Sequence, residues 1–521
     1  MSEVEYIVSL KRGVDADAFN QEMIASSGAA AIPNRTVDIA DARELSVRLT
    51  HYSLTAAEAE SLKADSRVVD VEIPPQDRDD VEIGHDSLQE ATFTKTTADS
   101  GDYRDWGKIR HSYPGNVYGA GSTTSLNFPY ALDGTGVDVV IQDSGIQVDH
   151  PEFNDANGAS RVQLLDWGQY SSSVTQSANH YRDYDGHGTH CAGTAVGLNY
   201  GWGKNARIYS QKLSGLEGAG DSGTGISITY AFDVITAWHN AKPIDPITGV
   251  KRPTIVNMSW GYSSGYTPGN ITAFTYRGVT YNSGNDGDLL NSANQLSTYG
   301  FYQYLTSSGY RIPLRVSSVD TNIQEMIDAG IHVCVAAGNN RFKADLSDGL
   351  DYNNTVSTPS VRSYHRGSSP TDDEAISVGS LGYGVGSLTE ETKSLFSTTG
   401  PGVDIYAAGE YIISATSTTN KFSAPSYYGN ASFKQTNISG TSMASPQVCG
   451  LGALHLQANP HWTPAQLKDR LTKDTEARLQ DGGLTAYGTH TNIMGGNNRI
   501  MLSRYANAVP FSSNVAGLKK R

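Results

Sequence analysis

The 521-residue sequence predicts an α/β protein, a doubly wound, mostly parallel sheet preceded by a small α+β domain. Three observations predict it. Short apolar runs at 137–141, 208–213, 255–258, 333–337, 375–378 and 403–406 alternate with helical segments, the pattern of strands buried on both faces by crossover helices. Residues 5–10 and 44–49 instead alternate apolar and polar side chains, and each is followed by a helical pattern, at 16–25 and 55–64. The length also holds more than one folding unit at roughly 100–200 residues per domain.

In chain order, residues 1–77 form the small domain, whose last strand, 68–73, ends at Pro74-Pro75. Residues 78–104 open on Arg78-Asp79-Asp80-Val81-Glu82, a charged, core-poor run expected as an acidic linker. The main domain spans 105–480. Its last clear helix begins at Thr463-Pro464, a capping residue followed by proline at the first helical position. Residues 481–521 read as a C-terminal extension, rich in Gly and Asn where it begins.

Composition excludes several function classes. Lys plus Arg total 39 against 54 Asp plus Glu, a net charge of −15, so there is no cationic surface to hold a phosphate backbone and no nucleic-acid partner is expected. No stretch approaches the roughly 20 apolar residues that cross a bilayer, so no membrane partner is expected either. Met1-Ser2-Glu3-Val4-Glu5 lacks the basic and then apolar sections of a secretion signal. Cys191, Cys334 and Cys449 are too few and too scattered for a disulfide framework, which fits a reducing compartment.

Three glycine-flanked elements carry candidate chemistry. Asp143-Ser144-Gly145 ends the first buried strand, where a parallel sheet delivers functional groups to its rim. Asp185-Gly186-His187-Gly188-Thr189-His190-Cys191-Ala192-Gly193 turns on glycines into a helix of small residues. His187 and His190 are three apart, but no carboxylate lies between them and no third ligand is evident, which disfavours zinc. Ser439-Gly440-Thr441-Ser442-Met443-Ala444-Ser445-Pro446 leads into the apolar helix 448–457, with small neighbours leaving the Ser442 hydroxyl open. Pro446 is expected in the first turn, where N–H groups lack intrahelical acceptors. Alone, each element reads as an ordinary turn or cap. In the order Asp, His, Ser on an α/β sheet, they match one variant of the nucleophilic triad.

These stretches, with His150-Pro151, Asn257-Met258-Ser259-Trp260-Gly261 and Ala336-Ala337-Gly338-Asn339, resemble the subtilisin-like serine proteases, nearer to the proteinase K branch. The resemblance covers about 106–479, and residues 4–76 resemble the family's inhibitory prodomain. It implies Ser442 as nucleophile, His187 as general base and Asp143 as the group that orients the imidazole. It further implies Asn339 as oxyanion-hole donor beside the Ser442 N–H. Ser259-Trp260-Gly261 and Ala336-Ala337-Gly338 are implied as walls of the primary specificity pocket, and Gly218-Ala219-Gly220 as an edge along which substrate lies as an added strand. The implied activity is a serine endopeptidase made as a self-processing zymogen, acting on polypeptides, with its own prodomain as intramolecular inhibitor and no cofactor required for chemistry. Without a signal, a cytoplasmic or virus-associated location is expected.

Some features depart from the family. Trp260 stands where an aliphatic residue is usual. An insertion at 265–318 carries Tyr266, Tyr276, Tyr281, Tyr299, Tyr302, Tyr304 and Tyr310, and reads equally as a recognition surface or as a satellite core. Gly382 occupies the position where the family often supplies a calcium-binding Asp, and Asn282–Asp288 lacks calcium-loop spacing, so structural calcium is left unassigned. Two alternatives stand beside the protease: a peptide ligase or macrocyclase, which needs a water-excluding lid, and an inactive scaffold on the same fold.

Overall fold

The structure, a computed structural model, describes residues 3–30, 32, 35–43, 45–78, 82–84, 106–112, 130, 132–213, 226–266, 270–287, 296–301, 310–358, 360–386, 391–482 and 491–503. Alternating side chains build the first domain. Strands Val4–Leu10, Ile39–Asp41, Leu49–Leu54 and Val68–Glu72 form an antiparallel sheet in which Val4–Leu10 lies between Leu49–Leu54 and Val68–Glu72. Helices Ala16–Ala25 and Ala56–Leu62 start on Asp15 and Thr55, the latter in a reciprocal capping box with Glu58. Phe19, Met23, Tyr52, Leu54, Leu62 and Val71 close a separate core.

The apolar runs of the main domain become a sheet of ten strands among the described residues. Nine lie in the order Val162–Gln163, Arg207–Lys212, Asp138–Asp143, Thr254–Met258, His332–Ala336, Ile376–Gly386, Ile405–Ala408, Ile500–Met501, Thr475–Glu476. All neighbours in that row are parallel except the last pair. Helices His187–Val196, Thr441–Ala458 and Pro464–Lys473 cover one face, and Ile228–Ala241 and Ser317–Asp328 the other, which explains two large apolar clusters on opposite sides of the strands. Asp138–Asp143 pairs with both Arg207–Lys212 and Thr254–Met258, so the winding reverses beside it and a crevice opens at its carboxyl end.

Four segments differ from their sequence reading. Residues 45–48, read as part of an alternating strand over 44–49, form a turn, and the strand runs instead over Leu49–Leu54, buried at nearly every residue. Within the stretch read as a linker, Glu82–Gly84 is a strand that pairs antiparallel with Gly261–Tyr266, which also pairs with Tyr310–Pro313. Past the 480 boundary, Ile500–Met501 joins the main sheet. There the Asn497 side chain donates to the Val403 carbonyl at 2.8 Å, and Asn498 exchanges two 2.7 Å bonds with the Leu479 backbone. Asparagines substitute for ladder partners, which is why the segment lacks strand periodicity. The tyrosine-rich insertion forms a hairpin, Ala273–Tyr276 and Val279–Asn282, that extends onto Thr355–Ser357 and Val361–Ser363. Tyr266 packs with Phe274, Phe301 and Tyr364, and Tyr276, Tyr281 and Tyr299 lie against them, so these rings form a satellite core. Tyr302 and Tyr304 lie outside the described residues, as does Asp288. Asn282 Oδ1 accepts from the Gly284 and Asn285 N–H groups and Asp286 Oδ2 from Asn282 N–H, bonds internal to that turn.

The first domain sits on Ile228–Ala241 and Ser317–Asp328. Arg43 forms a buried fork onto Asp233, with Nη2 at 2.9 and 2.8 Å from the two carboxylate oxygens. Glu325 accepts from Ser46 Oγ at 2.8 Å and from Val47 N–H at 3.0 Å, while Glu72 accepts from Ser318 N–H at 2.6 Å at a helix start. Downstream, helix Trp106–Ser112 is wholly buried in the main domain. Its Arg110 meets Glu391 at 2.7 Å and Glu476 at 2.9 Å.

His111, His190, His239, His332, His365 and His455 are held neutral by burial, which lowers each pKa to about 3. Unfolded, these rings take protons near pH 6.5, so acid favours the unfolded chain. Their contribution is complete above about pH 6.5 and is lost as pH falls toward 3. The thermal midpoint is expected to hold above pH 7 and to drop steeply between pH 6 and 4 in a calorimetric series. A midpoint unchanged down to pH 4 contradicts this account.

Candidate active site

The site begins at the switch point. Asp143, last in its strand and fully buried, accepts from His187 Nδ1 at 2.8 Å and from Ser144 N–H at 2.7 Å, both through Oδ1. The first bond fixes the tautomer that directs the Nε2 lone pair away from the carboxylate. His187 opens its helix after Gly186, whose φ of 96° is left-handed. A Cβ on Gly188 would stand 2.2 Å from the Gly145 carbonyl, so only glycine lets this helix meet the Asp143 turn.

A residue the sequence reading passed over holds these pieces together. Asp183 is buried, and its Oδ1 accepts from Ser144 Oγ at 2.9 Å and Gly186 N–H at 2.8 Å. Its Oδ2 takes Thr189 N–H at 2.9 Å and Thr189 Oγ1 at 2.6 Å, while Ser144 Oγ accepts from Gly188 N–H at 2.9 Å. Burial raises its pKa and these donors oppose the rise. Its only trace in the sequence is a carboxylate three residues ahead of the N-cap Gly186, which reads as an ordinary turn acid.

Ser442 is the second residue of helix Thr441–Ala458. Pro446 sits in the second turn rather than the first, so the proline removes the donor that Ser442 C=O would have used. Ser259 Oγ donates to that carbonyl at 2.9 Å, and Cys191 Sγ contacts it at 3.5 Å. In return, Ser442 Oγ donates to the Ser259 carbonyl at 3.0 Å. Asn257 Nδ2 donates to Ser259 Oγ at 2.9 Å and accepts Ser445 Oγ at 2.8 Å through its oxygen, tying strand Thr254–Met258 to the helix.

Asn339 follows strand His332–Ala336. Its side-chain oxygen accepts from Thr441 N–H at 2.8 Å and Thr441 Oγ1 at 2.9 Å, so the carboxamide nitrogen is the end turned away from Thr441. Asn339 and Ser442 line one pocket with Ser259, Trp260, Gly261, Ala336 and Gly338, a space of about 350 Å³ including its mouth. The Trp260 ring also packs edge-on to Tyr262 at 5.7 Å and near Phe232, so it serves the core at the same time. Ala337, read as a wall of this pocket, lines a neighbouring cavity instead. Gly218, Ala219 and Gly220 lie outside the described residues.

Among the described residues, Asp143, His187 and Cys191 are the one His/Cys/Asp/Glu group close enough to share an ion. His190 takes no part, since it donates from Nε2 to the Ile412 carbonyl at 2.9 Å. Cys191 Sγ lies 3.7 Å from His187 Nδ1. Burial, and then the Asp143 charge, push its thiol pKa well above the usual value, so the sulfur stays protonated and is no competing nucleophile.

The sequence profile of the Subtilase family matches residues 134–489, more than half of the chain. A cuticle-degrading serine protease from Arthrobotrys oligospora is 26% identical over 422 residues, covering 81% of this chain and 73% of that protein. Subtilisin-like protease 3 from Arthroderma otae is 28% identical over 378 residues, covering 72% of this chain and 64% of that protein. Among solved structures, fervidolysin from Fervidobacterium pennivorans, a keratinolytic enzyme related to subtilisin, superposes with a TM-score of 0.50 at 16% identity, over 98% of this chain and 62% of that one, a likeness of fold. The family match over residues 134–489, which include the helices that carry His187 and Ser442, places the chain: it belongs to the subtilase family of subtilisin-like serine proteases.

Proposed function

We propose that the chain is a serine endopeptidase that cleaves itself from a zymogen. The observation that carries the reading is the 2.8 Å bond between His187 and Asp143 at the switch point, together with Ser442 and Asn339 in one pocket. The Ser442 hydroxyl leaves the Ser259 carbonyl and turns to His187 Nε2, which takes the proton as Oγ bonds to the peptide carbon. Asp143 stabilises the imidazolium, and the Asn339 amide with the Ser442 N–H receives the developing oxyanion. The C–N bond then breaks, His187 returns the proton to the leaving amine, and water repeats the sequence to free the acid and Ser442. Polypeptides are the substrate class.

The first domain acts as the intramolecular inhibitor in this reading. Glu82–Gly84 supports it, because this strand adds to Gly261–Ser263 at the pocket wall and continues the chain toward the nucleophile's neighbourhood. Helix Trp106–Ser112 is buried in the main domain, so the first cut falls between 85 and 105.

Ser442→Ala is expected to abolish fluorophosphonate labelling and to reduce peptide hydrolysis by more than about 10³-fold while the protein still folds. The variant stays full length by intact mass, whereas wild type loses about 9 to 11 kDa of its 55.8 kDa. Wild type that is active yet full length contradicts self-processing.

Docking of the cut domain is expected to weaken as pH rises. Glu72 and Glu325 are pushed up to about 7, chiefly by burial at the interface, and return to the ordinary range once exposed. Glu72 faces Ser318 N–H, Asp70 and Arg78, and Glu325 faces Ser46, Asp233, Arg43 and Arg48. The docked state therefore holds protons more tightly, and its advantage is complete below about 4.5 and lost as pH passes 7. Gel filtration of the nicked protein should show one peak at pH 6 and separation at pH 8; the reverse order would refute it.

Cys191→Ala is expected to remove inhibition by bulky mercurials, which act in wild type by displacing His187 from beneath. Unchanged sensitivity in the variant would place the responsible thiol elsewhere.

A further inference from the structure

The first domain and the main body enclose a cavity of about 1130 Å³ including its mouth, whose lining residues are different from those of the Ser442 pocket. In a chain of net charge −15, five cations line this space among the described residues: Lys63 and Arg78 from the first domain, and Arg315, Arg362 and Arg366 from the main body. The lining acids are Asp70 and Glu72, and both are engaged elsewhere. Asp70 accepts from Ser317 Oγ and Val71 N–H, each at 2.8 Å, and Glu72 accepts from Ser318 N–H at 2.6 Å, so the start of helix Ser317–Asp328 compensates their charge. Arg315 is matched by Asp320 at 2.7 Å.

The other three arginines set the character of the space. Arg78 Nη1 stands 3.6 Å from Glu72 Oε2, longer than a charge-assisted hydrogen bond. Arg366 donates from Nε to the Tyr352 carbonyl at 2.9 Å and from Nη2 to Asn353 Oδ1 at 3.1 Å, with its guanidinium 4.2 Å above the Tyr352 ring. Two of its five donors are thus used, and the planar group is fixed in place. Burial, and then the charge of Arg78, lower the Arg362 pKa below the usual arginine value. Docking therefore sets like charges against each other across the seam, where a negative charge between them turns repulsion into attraction.

We propose that this seam is an oxyanion site, which takes a tetrahedral dianion of the phosphate class on Arg78, Arg362 and Arg366. A guanidinium presents paired N–H donors that match the edge of such an anion, and a cavity lined by one sign of charge concentrates the opposite sign. Because the arginines come from both domains, a bound anion favours the docked state over the separated one by linkage. Binding needs only the docked domains. Its consequence, that the anion slows escape of the inhibitor, rests on the proposed function.

The test titrates inorganic phosphate into full-length Ser442→Ala protein at constant ionic strength, balanced with sodium chloride, and follows heat and the thermal midpoint. One equivalent should bind and the midpoint should rise. Arg362→Gln and Arg78→Gln in this background should each weaken binding by about tenfold or more, whereas Lys473→Gln, which removes an exposed cation elsewhere, should leave it unchanged. Equal affinity in all four proteins, or an equal loss in the three variants, overturns the site. So does the absence of phosphate-specific heat in the Ser442→Ala parent, a result that does not depend on any arginine variant folding. In nicked wild type, phosphate should lower the rate of peptide hydrolysis, and Arg362→Gln should remove that effect. Binding with unchanged hydrolysis upholds the site and counts against the first domain as inhibitor, so the two readings fail separately.

Discussion

The carbonyl of Ser442 is the constraint on which the site is assembled. Pro446 denies it a helical partner, and a buried carbonyl without a donor costs about 1–3 kcal/mol. It is satisfied from outside the helix by Ser259 Oγ, with Cys191 Sγ beside it. Ser259 belongs to the segment after strand Thr254–Met258, and Cys191 to the helix that His187 opens. One missing hydrogen bond thus draws Ser442, the Ser259 segment and the helix of His187 to a common point. A regular helix with its own i to i−4 bond at this position would occupy one lone pair of the carbonyl and weaken its demand for the Ser259 hydroxyl.

Burial of charge completes the arrangement. Asp183 collects donors from Ser144, Gly186 and Thr189, joining the strand-end turn of Asp143 to the first turn of the His187 helix. A desolvated carboxylate is tolerable only when its lone pairs are filled, so the network resists partial rearrangement and holds Asp143 and His187 in register. Cys191 beneath the imidazole is kept neutral by the same desolvation that makes Asp183 costly.

The contact between the first domain and the main body is polar at its centre, Arg43 on Asp233, with Glu325 and Glu72 at its flanks. Buried ion pairs contribute specificity of docking more than raw stability, because desolvation offsets much of the attraction. The two proton-linked effects in this protein have opposite sign. Buried histidines make the main body acid-sensitive, whereas raised carboxylates make the docked state favour protons.

The sequence by itself determined the parallel sheet, from six apolar runs whose burial on both faces leaves no room for alternation, and it singled out Asp143, His187 and Ser442, each close to glycine. The small α+β domain was legible in outline from its runs at 5–10 and 68–73 and its two helices, whereas the strand read at 44–49 lies at Leu49–Leu54, where burial rather than alternation decides it. Other features were decided only by the tertiary structure. Asp183 reads as a loop acid until its donors converge on it, and Pro446 had to be counted from the true start of its helix. The linker strand Glu82–Gly84 and the Asn-rich segment around Ile500–Met501 have partners 181 and 94 residues away in the chain, Ser263 for Glu82 and Tyr406 for Ile500, and no periodicity of their own. The tyrosines of the insertion had two readings that differ only in what the rings touch. Local sequence encodes which conformations a segment prefers, whereas hydrogen-bond satisfaction and ring packing between distant segments exist only once the chain has closed on itself.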